Sequence, residues 1–186
     1  NCSSRSGGGV SGAGDGSRVV LDDDVRVEFN NATGARNGLL GHGGGVCVSK
    51  NASLDVLARS AIANNAARVG GGLAVAHASS RALSADEALV ASNLARESGG
   101  GRFLRGGASV SVGDNAQLIN NEARVAVQLG SALSGTGGNG AVEAGSVLNV
   151  SGHARVAGGI APNGGGLFVT GASSTLVLCG RARVER

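Results

Sequence analysis

Trp, Tyr and Met are absent from the 186 residues, Phe occurs three times and Pro once. A chain so poor in rings builds no core around large aromatics, and it offers few platforms for stacking bases or sugars. Positive charge is modest and dispersed: the net charge is +3, Lys50 is the single lysine, and the arginines are scattered without interleaved aromatics. That pattern argues against a nucleic-acid reader. Long apolar runs are also missing, which excludes a helical membrane span. No initiator Met and no signal peptide stand at the N-terminus, so residues 1–186 are expected to form one segment of a longer protein. The three cysteines, Cys2, Cys47 and Cys179, are too far apart in sequence for a CxxC or zinc motif. Any pairing among them stays open. Cys47, flanked by Val46 and Val48, reads as a small core residue.

Glycine is abundant, with 35 residues. Collagen is excluded, because glycine does not recur at every third position and proline is nearly missing. Disorder is a poor fit to 41% hydrophobic and 16% charged residues. The glycines are organised instead as triplets at 7–9, 43–45, 70–72, 99–101 and 164–166, with a degenerate copy at Gly137-Gly138-Asn139-Gly140.

Short apolar stretches follow most triplets, as in Val46-Cys47-Val48, Leu73-Ala74-Val75 and Leu167-Phe168-Val169. A second stretch comes next, as in Leu54-Asp55-Val56 and Val110-Ser111-Val112. A third ends in asparagine, at Asn30-Asn31, Asn64-Asn65, Ser92-Asn93 and Asn120-Asn121. Taking the second residue of each pair as the register gives Asn31, Asn65, Asn93 and Asn121, the last three 28 residues apart. An apolar residue precedes the register by three at Ile62, Val90 and Leu118. Three strands per unit, joined by glycine-rich or polar turns, predict an all-β fold. The predicted form is a right-handed, single-stranded parallel β-helix of about six coils, each adding about 4.8 Å to the stack. Asparagines aligned in such a stack form a ladder, each amide bonding its neighbours above and below.

The pairing of Gly-Gly-Gly-Val/Leu corners with strand ends of the form apolar-x-x-Asn resembles the repeats of chlamydial-type polymorphic outer-membrane proteins. The resemblance covers residues 7–186 and is of moderate specificity. The third glycine stands in place of alanine, and Ile62, Val90 and Leu118 stand in place of phenylalanine. Glu28 occupies the apolar place of the Asn31 copy, and the Val156 copy ends in Gly158-Gly159 without asparagine. The resemblance implies a pectin-lyase-like solenoid exposed at the cell surface, acting as adhesin or scaffold.

Catalytic candidates are few. Asp24, Ala58, Asp86 and Asp114 lie seven residues before the register asparagines. Asp86 and Asp114 would stack about 5 Å apart, the arrangement that would serve a polysaccharide lyase or glycoside hydrolase as acid and base. Aspartate is equally a turn former before a strand, and no sugar-stacking aromatics accompany the pair. His42, His77 and His153 fall at different repeat positions, so no joint metal site is expected. The run 12–16 resembles a single calcium-binding nonapeptide copy, which is insufficient alone. No cofactor is implied. Arg68, Arg96 and Arg124 each follow the register asparagine by three. They form a candidate basic column for a linear polyanion such as an acidic polysaccharide. Glycosylation sequons begin at Asn1, Asn31, Asn51 and Asn149. A ladder role removes Asn31, which leaves Asn51 and Asn149 as the better acceptors. The expectation is therefore a non-enzymatic extracellular glycoprotein segment. Its partners would be the rest of its own chain, acidic polysaccharide or another surface protein.

Overall fold

A computed structural model describes residues 3–4, 7–32, 41–124 and 135–186. The described residues form a right-handed parallel β-helix, with parallel strands stacked in four sheets, in register except for a one-residue shift between Ala95 and Ser98. Sheet 1 follows the glycine corner, with strands Val10–Ala13, Val46–Ser49, Leu73–Ala76, Arg102–Arg105, Gly140–Val142 and Leu167–Val169. Sheet 2 contains Arg18–Leu21, Ser53–Val56, Arg81–Ser84, Ser109–Val112, Val147–Val150 and Thr175–Leu178. Sheet 3 contains Arg26–Glu28, Ala61–Ala63, Leu89–Ala91, Gln117–Ile119, Arg155–Ala157 and Arg183–Glu185. Sheet 4 is the addition to the predicted three-strand unit. It contains Ser3–Ser4, Asn31–Ala32, Ala66–Val69, Leu94–Ser98 and Glu122–Ala123. Its inward residues are alanines such as Ala67 and Ala95, too small to register as an apolar run. Among the described residues no helix is long and apolar enough to cross a membrane.

Strand alternation places one apolar column per inward position. Val46, Val48, Leu54, Val56 and Ile62 of the second coil, and their apolar equivalents in the third to fifth, make one continuous core, interrupted at Ser84, Arg102 and Gly140. Cys47 is buried but lies outside this core, on the outer face of sheet 1 in register with Ala74 and Phe103. Burial pushes its thiol up to about 11, so at neutral pH it is an inert thiol. The two ends of the stack differ. In the first coil, Leu21 and Val27 are only 6% and 7% exposed. In the last, the equivalent inward residues Leu178 and Val184 are 50% and 47% exposed.

The glycine triplet is explained residue by residue at 70–72. Gly70 has φ +62°, which a side chain rarely adopts. A Cβ on Gly71 would lie 2.5 Å from the carbonyl oxygen of Gly100, and one on Gly72 would lie 2.8 Å from Asn93 Nδ2. The corner and the asparagine therefore fit each other.

Candidate functional site

Asparagine side chains run through the stack as a buried ladder. Asn65 donates from its backbone N–H and from Nδ2 to Asn93 Oδ1, at 2.9 and 3.1 Å. Asn93 does the same to Asn121 Oδ1, at 2.9 Å for both bonds. The second Nδ2 hydrogen of each goes to a carbonyl one coil back, Val27 for Asn65 and Ile62 for Asn93. Each amide of this pair thus has its donors and its acceptor used, the condition for burying it without penalty.

The first rung is a correction. Asn30, not Asn31, donates to Asn65 Oδ1. Asn31 pairs with Ala66, one residue past the ladder. The left-handed residue before each ladder asparagine is Phe29, Asn64, Ser92 or Asn120, all with φ between 53° and 58°. Asparagine suits that conformation and phenylalanine does not, so a doubled asparagine reads as left-handed residue plus rung. In the first coil Phe29 takes the left-handed place and the pair slips by one. The apolar residue three before the rung is then Val27, not Glu28.

The far end of the ladder holds a second departure. Asn121 donates from Nδ2 to Asn139 Oδ1 at 2.9 Å, and Asn139 Nδ2 donates to Ala157 O. Arg102 is in register with Gly140 and Leu118 with Val156. Asn139 therefore stands where the fourth coil has Gly101, and Gly159 stands where it has Asn121. The degenerate corner and the missing asparagine are one reciprocal exchange. A Cβ on Gly159 would lie 2.6 Å from Asn139 Nδ2, so the glycine makes room for the amide from the other side.

The turn acids occupy a convex edge between sheets 2 and 3. With the corrected register, Asp23 rather than Asp24 aligns with Ala58, Asp86 and Asp114. All four have positive φ, the backbone role that aspartate tolerates. Asp86 and Asp114 are exposed. Asp24 belongs to the next column, where Arg59 holds it in a two-point pair at 2.9 and 2.8 Å; the Arg59 hydrogen bond keeps its carboxyl below the usual value. Among the described residues no three of His, Cys, Asp or Glu converge on a metal position.

The basic column is aligned, but it is not a row of bare cations. Arg68 lies 3.3 Å from Glu97, and Arg124 grips Glu122 at 2.7 and 3.2 Å. Arg96 is exposed between them. Of the sequon asparagines, Asn51 is exposed at a turn, and Asn149 faces outward on a sheet 2 strand. Asn1 and Cys2 lie outside the described residues.

One concave feature is a cleft of about 190 Å³ between the end of sheet 4 and the outer face of sheet 1. It is lined by Arg68, Val69, Glu97, Ser98, Phe103, Arg105 and Glu143. Its lining residues Val69 and Ser98 belong to a bridged column of His42, Val69, Ser98, Thr136 and Asn163. Ser98 and Thr136 share a hydrogen bond of 2.6 Å between their hydroxyls. Burial pushes the Glu143 carboxyl above its ordinary value. Burial first, then Arg68, Arg105 and His77, holds His42 below its usual value. The His42 and Phe103 rings meet at 6.2 Å.

The strand over this cleft breaks the repeat on both faces. On its outer face are Phe103 and Arg105, in register with Ala74 and Ala76. On its inner face is Arg102, fully buried in the apolar core. Its Nη2 donates to Ser84 Oγ, while Nε and Nη1 have no partner. Burial pushes its pKa down to about 9, so it remains a cation at neutral pH. Space comes from Gly140 in the adjacent rung, and from Ser84 in a column otherwise filled by Val56, Val112 and Val150. Sequence reasoning missed this cleft, because its residues are scattered over separate repeats and become neighbours only through the register. Compared with known proteins, the chain matches no family model, no curated protein and no solved structure.

Proposed function

We propose that this chain is a non-enzymatic, extracellular β-helix, a segment of a cell-surface adhesin or structural scaffold of the kind its repeats resemble in polymorphic outer-membrane proteins. The observation that carries the reading is where the repeated residues go. Glycine corners, ladder asparagines and inward apolar columns all serve the stack. The repeated acids serve exposed turns, where Asp24 is tied to Arg59. A repeat devoted to the stack suits a spacer or a display surface. The outward placement of Asn51 and Asn149 is compatible with glycan attachment at both. Partners are the continuing chain, acidic polysaccharide or a second surface protein.

The rival reading is a polysaccharide lyase or hydrolase acting through Asp86 and Asp114, which are exposed turn residues outside the lining of the cleft beside sheet 1. A panel of acidic and neutral polysaccharides is incubated with the protein, and reducing ends and unsaturated products are followed. No turnover above a heat-treated control is expected. Turnover that disappears in Asp86→Ala or Asp114→Ala overturns the scaffold reading.

A further inference from the structure

We propose that the cleft beneath strand Arg102–Arg105 binds a sugar acid one ring in size, with its carboxylate on Arg105. The proposal goes beyond the scaffold reading, since the cleft binds or fails to bind wherever the chain resides.

Charge selects the carboxylate. Arg68 and Glu97 balance each other at 3.3 Å. Arg105 is exposed on the rim, and among the described residues no ion pair holds it. Register places Ala76 on one side of it and Glu143 on the other. Glu143 is half-buried, and the Arg105 charge acts on it without an ion pair between them. Arg105 is thus the cleft cation outside an ion pair, and its planar fork matches a planar carboxylate in two-point fashion. A phosphate dianion would add twice the charge beside Glu97 and Glu143. A neutral sugar would leave Arg105 without its partner.

The remaining lining selects a polyhydroxylated body. Ser98 lines the cleft, its hydroxyl bonded to Thr136 behind it, and Glu97 and Glu143 supply acceptors for ligand hydroxyls. Phe103 and Val69 give an apolar floor. The volume, about 190 Å³, is below the roughly 300 Å³ at which drug-sized pockets begin, so a single ring fits better than a polymer.

The whole chain is titrated with glucuronate, galacturonate, glucose and acetate, and binding is read by amide chemical shifts. Saturable one-to-one binding of a uronate is expected, with shifts concentrated at 97–105 and 136–143. Glucose and acetate should each bind at least tenfold more weakly. Arg105→Gln should lower uronate affinity roughly tenfold, the loss typical of one charge-assisted pair. Its side chain is exposed, so the unfolding midpoint serves as the control for folding. Arg81→Gln makes the same charge change at an exposed sheet 2 residue outside the cleft and the basic column, and should leave affinity unchanged. The proposal is overturned if no uronate saturates, or if glucose or acetate binds as well as the uronates. It is equally overturned if Arg105→Gln binds like the wild type, or if Arg81→Gln weakens binding as much as Arg105→Gln.

Discussion

The third and fourth coils share one backbone and differ in almost everything that backbone carries. Leu73-Ala74-Val75-Ala76 and Arg102-Phe103-Leu104-Arg105 pair residue for residue. The first strand is small and apolar. The second has a buried cation inside, and a ring and a cation outside. Both begin at a glycine triplet, and both coils close on a ladder asparagine, Asn93 or Asn121. The register is therefore held at the corner and the ladder, and the strand between them is free to vary. That freedom lets a structural repeat acquire a site in one coil without disturbing its neighbours.

The largest effect is expected where the two coils are alike. Asn93→Ala removes the acceptor of two Asn65 donors and a donor of Asn121 Oδ1. Leaving buried groups unpaired should destabilise the protein by about 3 kcal/mol. Asn121→Ala should do the same within about 1 kcal/mol, since it is wired in the same way. Denaturant midpoints check both. A large inequality would mean that the strand, and not the ladder, sets the register.

The exchanged rung comes next. Asn139→Gly should cost about 2 kcal/mol, because Asn121 loses its acceptor. Gly159→Asn alone should also destabilise, because its Cβ would clash with the Gly165 carbonyl oxygen and meet the Asn139 amide at 2.6 Å. The double variant relieves the second clash and not the first, so it should recover part of the loss, a coupling that a double-mutant cycle measures directly. Strictly additive losses would contradict the pairing of the two positions.

Removing the departures around Arg102 from both coils should stabilise the stack. Arg102→Leu with Ser84→Val replaces a buried, half-satisfied cation by the residue types of its own columns. A gain of about 1–4 kcal/mol is expected from replacing buried charge by packed apolar groups. An unchanged or lowered midpoint would mean that Arg102 has partners that offset its burial.

The smallest effect concerns the column beside the cleft. The pKa of His42 is lowered from 6.5, so over the window just below 6.5 the unfolded chain binds the proton more readily. Stability should therefore fall as the pH drops through that window. His42→Asn should flatten the decline, measured as the unfolding midpoint against pH. The groups facing His42 are Arg68, Arg105 and His77, and an unaltered decline in the variant would assign it to groups elsewhere.

Much of this architecture was legible in the sequence, because glycine triplets and apolar-x-x-Asn ends are positions where backbone geometry dictates the residue. Three things escaped. The fourth sheet was hidden because its inward residues are alanines. The first rung slipped because Phe29 sits in a left-handed place where asparagine was expected. The Asn139–Gly159 exchange was seen as two unrelated imperfections, because sequence does not show that the two positions face each other across the corner. The cleft belongs to the same class. Ser98, Arg105 and Glu143 are distant in the chain, and only the stack brings them together.

The ladder also has an electrical direction. From Asn30 to Asn121, every Nδ2 donates toward the following coil and every bonded Oδ1 accepts from the preceding one. Side-chain amide dipoles aligned head to tail add along the axis, and each polarises the next. The positive end points toward the last coil. A carboxylate substituted at a middle rung would face donors on one side but lose both of its own. Each added coil strengthens the amides already in place, so the stack gains more from its fifth rung than from its second.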